Sequence, residues 1–174
     1  MSLVKSTPIS PIKSDFRSRF ENEFKRGQRA FLLDYSGSME YVESKGRTRL
    51  QHLISIMDKF PNERKFIFSG DCKEVHSLPT TAIGSTDLAE GFEEVKRCGI
   101  SHVVLITDGE PDDEESAEQA AKGLKIDAFF VGSQDNVRAK EFLRRLCDNS
   151  GGSFDSTNIS NVQQIESGIR GLLA

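Results

Sequence analysis

The amino-acid sequence predicts a doubly wound, three-layer α/β/α sandwich on a mostly parallel six-stranded sheet with one antiparallel edge strand. Three observations predict it. Strand-like segments alternate with helical ones of about 10 to 14 residues. The run His102 to Thr107 is apolar almost throughout, as expected of a strand buried on both faces of a parallel sheet. Finally, Asp34, Thr86 and Asp108 all lie in segments leaving the carboxyl edge of that sheet, where sheets of this kind bind ligands.

Taken in order, residues 1–13 are polar with Pro8 and Pro11 and read as a tail. Residues 14–28 read as a short helix: Ser14 as N-cap, Asp15 in the first turn, and Phe16, Phe20 and Phe24 forming a stripe. That stripe is expected to pack on the domain's own sheet, with docking to a partner as the alternative. The main domain spans 29–174. Its first strand is expected at Arg29 to Asp34. A helix from Thr48 to Phe60 follows, with Leu50, Leu53, Ile54 and Met57 on one face. Lys65 to Ser69 give a second strand, and Lys73 to Leu78 alternate in the manner of an edge strand. After a loop ending in Gly84-Ser85-Thr86, a helix from Asp87 to Arg97 buries Leu88, Phe92 and Val95. Beyond the strand His102 to Thr107 come a helix at Glu114 to Leu124, a strand at Ile126 to Val131 and a helix at Asn136 to Asp148. Gly151-Gly152 break the chain before a short strand at Ser153 to Asp155. Val162, Ile165, Ile169 and Leu172 mark the last helix.

Composition bounds the function. At 174 residues the chain suffices for one domain with a substantial core. The formal charge of -4 implies no basic field for nucleic acid. No apolar run approaches the ~20 residues of a membrane span, and no apolar signal core opens the chain. Cys72, Cys98 and Cys147 form no Cys-x-x-Cys pair, so neither a disulfide framework nor a zinc site is expected. Free thiols fit a reducing, cytoplasmic setting.

The chemistry concentrates in Asp34-Tyr35-Ser36-Gly37-Ser38-Met39. Alternation on a locally extended chain puts Asp34, Ser36 and Ser38 on one side, with Gly37 allowing the bend that lets them converge. Carboxylate and hydroxyl oxygens, without nitrogen or sulfur, suit a hard cation such as Mg2+. The bland alternative is an aspartate cap in a Ser/Gly turn.

Together with Gly84-Ser85-Thr86-Asp87-Leu88 and Ile106-Thr107-Asp108-Gly109-Glu110-Pro111, this motif resembles the von Willebrand factor A domain family, whose fold is Rossmann-like. The resemblance covers Arg29 to Leu173, with the three motifs in the family's order. It implies a metal-ion-dependent adhesion site in which the hydroxyls of Ser36, Ser38 and Thr86 coordinate Mg2+ or Mn2+. Asp34 and Asp108 would act through waters or by steadying the hydroxyls. It further implies a non-catalytic module whose metal recruits an Asp or Glu carboxylate from a partner protein. Intracellular bacterial domains of this kind often work beside ATPases or within larger assemblies, so an assembly subunit is among the partners the resemblance admits. The acidic run Glu110 to Glu115 reads as a solvated helix start rather than as metal ligands.

Two enzymatic readings compete. A Mg2+-dependent phosphohydrolase of haloacid dehalogenase type would use Asp34, Thr86 and Asp112. Position 36 is then a serine where that mechanism needs a carboxyl acid. A serine hydrolase through Ser36 or Ser38 lacks a base, because His102 begins the strand that ends beside Asp108, ~20 Å away along the chain. His52 and His76 are expected to be structural or surface groups.

Overall fold

The computed structural model describes Arg19, residues 28–43 and residues 46–174. The helix expected at 14–28 lies almost wholly outside the described residues. Six strands, β1 (Arg29–Asp34), β2 (Arg64–Phe68), β3 (Cys72–Val75), β4 (His102–Thr107), β5 (Lys125–Phe130) and β6 (Phe154–Ser156), form one sheet. Its order is β3-β2-β1-β4-β5-β6. All pairings are parallel except β2 with β3, so β3 is the antiparallel edge strand. The chain builds one half outward from β1 and the other outward from β4. The topological reversal, and the crevice it opens at the carboxyl ends, therefore falls between these two central strands.

Among the described residues, five helices cover the sheet: α1 (Arg49–Met57), α2 (Leu88–Arg97), α3 (Glu114–Ala120), α4 (Val137–Ser150) and α5 (Val162–Leu173). Alternation along β1 decides the layers. Leu32 faces one core with Phe66, Phe68, Phe92 and Phe142, closed by α2, α3 and α4. Phe31 and Leu33 face the other with Leu53, Ile56, Ile165 and Ile169, closed by α1 and α5. Burial of such side chains on both faces, at roughly 1.5–3 kcal/mol each, is the main force holding the layers together.

The helix starts follow local chemistry. Thr48 and Gln51 form a reciprocal capping box on α1. Asp87, Asp113 and Asn136 each accept a backbone N–H from the first turn of α2, α3 and α4. Most helix and strand ends differ from the sequence-based expectation by a residue or two, α1 stops at Met57 rather than Phe60, and three further differences have a physical reason. Helix α3 stops at Ala120 rather than Leu124, because the chain turns out through Gly123 at φ +87°. Strand β3 stops at Val75 rather than Leu78, because its partner Lys65 lies at the start of β2 and no ladder remains. Finally, the chain is extended only as far as Ser36. Gly37–Glu40 form a 3-10 turn, closed by Met39 N–H to the Ser36 carbonyl (3.0 Å) and anchored by the fully buried Met39. Ser38 therefore faces the site through a turn, not through strand alternation.

Candidate functional site

The crevice between β1 and β4 gathers Asp34, Ser36, Ser38 and Asp108 into one hydrogen-bonded chain. Asp34, fully buried, accepts the Ser36 N–H on Oδ1 (2.8 Å) and the Thr107 hydroxyl on Oδ2 (2.6 Å). The Ser36 and Ser38 hydroxyl oxygens lie 3.1 Å apart, and Ser38 Oγ donates to Asp108 Oδ1 at 2.7 Å. Arg49 Nη1 donates to the other oxygen, Asp108 Oδ2, at 2.8 Å.

Electrostatics at this rim are unfavourable to the residues that make it. Burial, and then the charge of Asp108, push the Asp34 carboxyl up from its ordinary value to about 6, against the pull of its hydrogen bonds from Ser36 and Thr107. Two carboxylates against an apolar core call for positive charge beside them.

Thr86 joins the rim through its backbone. Gly84, at φ +108°, turns its carbonyl to accept the Gly37 N–H (3.1 Å). Two residues on, Thr86 N–H donates to Asp112 Oδ1 (3.1 Å), and the Thr86 carbonyl accepts the Asp112 N–H (3.0 Å). The Thr86 loop is thus tied to the Gly37 turn on one side and to the segment following Asp108 on the other. The remaining acidic run is engaged elsewhere. Asp113 caps α3, while Glu110 and Glu114 meet Arg138 at 3.4 and 3.0 Å.

Four residues of the rim were absent from the sequence-based set. Thr107, next to Asp108, carried a usable signal: a hydroxyl at the last inward position of a buried strand. Arg49 and its partner Glu43 (2.7 Å) carried none, since Arg49 meets Asp108 across 59 positions of chain. Gly132 was also missed: a Cβ there would collide with the Asp108 carbonyl oxygen, so β5 leaves the sheet hard against that residue.

The donor set tests what the rim can hold. Asp34, Ser36, Ser38, Thr86 and Asp108 offer carboxylate and hydroxyl oxygens only, which fits Mg2+ or Mn2+ and not zinc or copper. No group of three or more His, Cys, Asp or Glu side chains able to hold a metal occurs among the described residues. A cation here would thus rest partly on hydroxyls. His102 begins β4, at the opposite end from Asp108, and is remote from the rim.

No family model matches the chain, and no curated protein matches it. A solved structure described as a von Willebrand factor type A protein from Catenulispora acidiphila superposes with a TM-score of 0.63 and 14% identity, over 81% of this chain and 41% of that one. The chain thus spans less than half of that protein. At this identity the likeness carries the fold: the sheet and its flanking helices have the von Willebrand factor A architecture. No helix among the described residues is long and apolar enough to cross a membrane.

Proposed function

We propose that this chain is a non-catalytic, divalent-metal-dependent module that binds a partner protein through an Asp or Glu carboxylate. Ser36, Ser38 and Thr86 would hold Mg2+ or Mn2+ through their hydroxyls, with Asp34 and Asp108 behind them. The observation that carries this reading is the chain Asp34–Ser36, Ser36–Ser38, Ser38–Asp108 at the switch point. It puts two carboxylates in short supply of positive charge behind hydroxyls that carry none. Bound there, Mg2+ would keep most of its charge uncompensated by neutral hydroxyls and offer it to an incoming carboxylate. The protein's share is orientation: Thr107 and the Ser36 N–H fix Asp34, and Arg49 fixes Asp108. An assembly subunit, including an ATPase, suits such a partner, and a reducing cytoplasm suits the three free cysteines.

Calorimetric titration of metal-free protein with Mg2+ and Mn2+ tests this. Saturable binding is expected in the wild type, weakened at least about tenfold by Thr86→Ala and by Asp108→Ala. Heat that survives both changes would overturn the assignment. Turnover of a generic phosphate ester with Mg2+, lost on Asp34→Asn, would replace the module with a phosphohydrolase.

A further inference from the structure

Arg49 occupies a position that its helix disfavours. It is the first residue of α1, where a cation opposes the helix dipole, and Thr48 with Gln51 already supply the cap. Its side chain is only 12% exposed, which adds a desolvation cost. Three contacts offset these costs, and one of them is to the rim. Nη1 meets Asp108 Oδ2 at 2.8 Å, Nε meets Glu43 Oε1 at 2.7 Å, and the guanidinium lies 5.5 Å from the centre of the Tyr41 ring. Held at three points, the guanidinium cannot swing clear of the site. The Ser36–Ser38 hydroxyl pair hangs on the other oxygen of the same Asp108 carboxylate.

We propose that Arg49 is a built-in counter-charge that sets the selectivity of this site: it holds metal affinity down by offsetting Asp108, and it strengthens the pull of the loaded site on a partner's carboxylate. The proposal rests on the metal-site reading above and gives Arg49, there only a support for Asp108, an electrostatic role of its own. Asp34 and Asp108 together bring two negative charges to the rim, and Arg49 returns one positive charge. A divalent cation meets a smaller attractive field, while an incoming anion meets a larger one. Glu43 acts with the opposite sign, because it offsets Arg49 in turn. Fixed charge so close to the site acts through a poorly screened path, so the effect survives physiological salt.

The test uses Mg2+ and Mn2+ calorimetry on the full chain as wild type, Arg49→Gln, Arg49→Lys and Glu43→Gln, each checked for folding by thermal melting. Arg49→Gln is expected to bind metal roughly fivefold to tenfold more tightly, Glu43→Gln about threefold more weakly, and Arg49→Lys within about twofold of wild type. Acetate serves as the carboxylate probe: broadening of its methyl proton line by Mn2+-loaded protein should be smaller in Arg49→Gln than in wild type. A wild type that binds metal while Arg49→Gln binds it equally or more weakly sinks this proposal alone and leaves Arg49 a mere prop for Asp108. Wild type and all variants silent to both metals would sink the metal-site reading and this proposal together. A silent wild type beside a binding Arg49→Gln would support it. Should Arg49→Gln fail to fold, Glu43→Gln carries the sign test: tighter or unchanged binding there overturns the proposal.

Discussion

The two ends of one sheet each bury an aspartate among hydroxyl groups, and the two are provided for in opposite ways. At the amino end, Asp127 of β5 accepts the Ser153 N–H (2.8 Å) and the Ser153 hydroxyl (2.7 Å) on Oδ1, while His102 Nε2 meets Oδ2 at 2.5 Å. Lys125 Nζ stands 3.9 Å away. Burial works to raise its pKa, but the donors from Ser153 and His102 outweigh burial and hold Asp127 below its ordinary value. At the carboxyl end, Asp34 has one N–H and one hydroxyl as donors and a second carboxylate nearby, and it is pushed up to about 6. Asp127 is a saturated staple that ties β4, β5 and the approach to β6 together. Asp34 has a carboxylate where Asp127 has a histidine and a lysine. It also lies deeper than Asp127, so depth and the sign of the neighbouring charge separate site from staple.

The largest expected effect is at the amino end. Asp127→Ala should cost about 3 kcal/mol in urea unfolding, because it removes three hydrogen bonds at once, two from Ser153 and one with the His102 ring. Asp34→Asn in metal-free protein should gain stability at neutral pH rather than lose it. Equal losses at the two ends would erase the contrast.

Glycines repeat the comparison one step lower. A Cβ on Gly152 would strike the Ile126 carbonyl, as one on Gly132 would strike that of Asp108. Gly152→Ala and Gly132→Ala should each cost about 2 kcal/mol by denaturant titration. Only Gly132→Ala should also weaken Mg2+ binding.

The pH dependence sharpens the contrast further. Asp34 has a folded value of about 6 against an ordinary value of 3.8. Within that window the folded state holds a proton that the unfolded state has lost, so stability falls as pH rises. Asp34→Asn should therefore gain on wild type above pH 6, and the gain should vanish below about pH 4. Asp127 is shifted the other way. Its contribution is present above the ordinary carboxylate value and is lost as pH falls through its lower, folded value. Melting curves without metal, from pH 3 to 7, should show Asp127→Asn at its greatest deficit at the top of that range and Asp34→Asn at its greatest gain. Slopes of the same sign would refute the account.

The smallest effect should come from the acidic run. Arg138, 74% exposed at its side chain, touches Glu110 and Glu114 in solvent. Arg138→Ala should change stability by less than about 0.5 kcal/mol and leave metal titration unchanged. A larger shift would mean that this run belongs to the site.

Much of the frame was legible from residues alone. Strand β4 was readable because five consecutive apolar or β-branched positions, Val103 to Thr107, leave no other reading, and β1 was similarly clear. Thr48, Asp87 and Asn136 announced their helices because a cap acts over three residues. The meeting of Asp34, Thr86 and Asp108 at one rim followed from placing all three in segments leaving the carboxyl edge of the sheet, whereas the adjacency of β1 and β4 came from the structure. The turn at Gly37–Glu40 was not legible as a turn, since burial of Met39 in the α1 core is what closes it. Early ends for β3 and α3 were likewise set outside those segments, by the length of β2 and by the turn through Gly123.

By itself, then, the sequence determined what acts locally: strand and helix periodicity, the caps, and the oxygen side chains waiting at the strand ends. Only the tertiary structure decided which charges face them. Arg49 comes to Asp108 across 59 positions, His102 to Asp127 across 25, and Gly132 to the Asp108 backbone across a helix and a strand. The sheet order that brings them together arises from burying both faces of β1 and β4 at once, a requirement no short stretch of chain expresses.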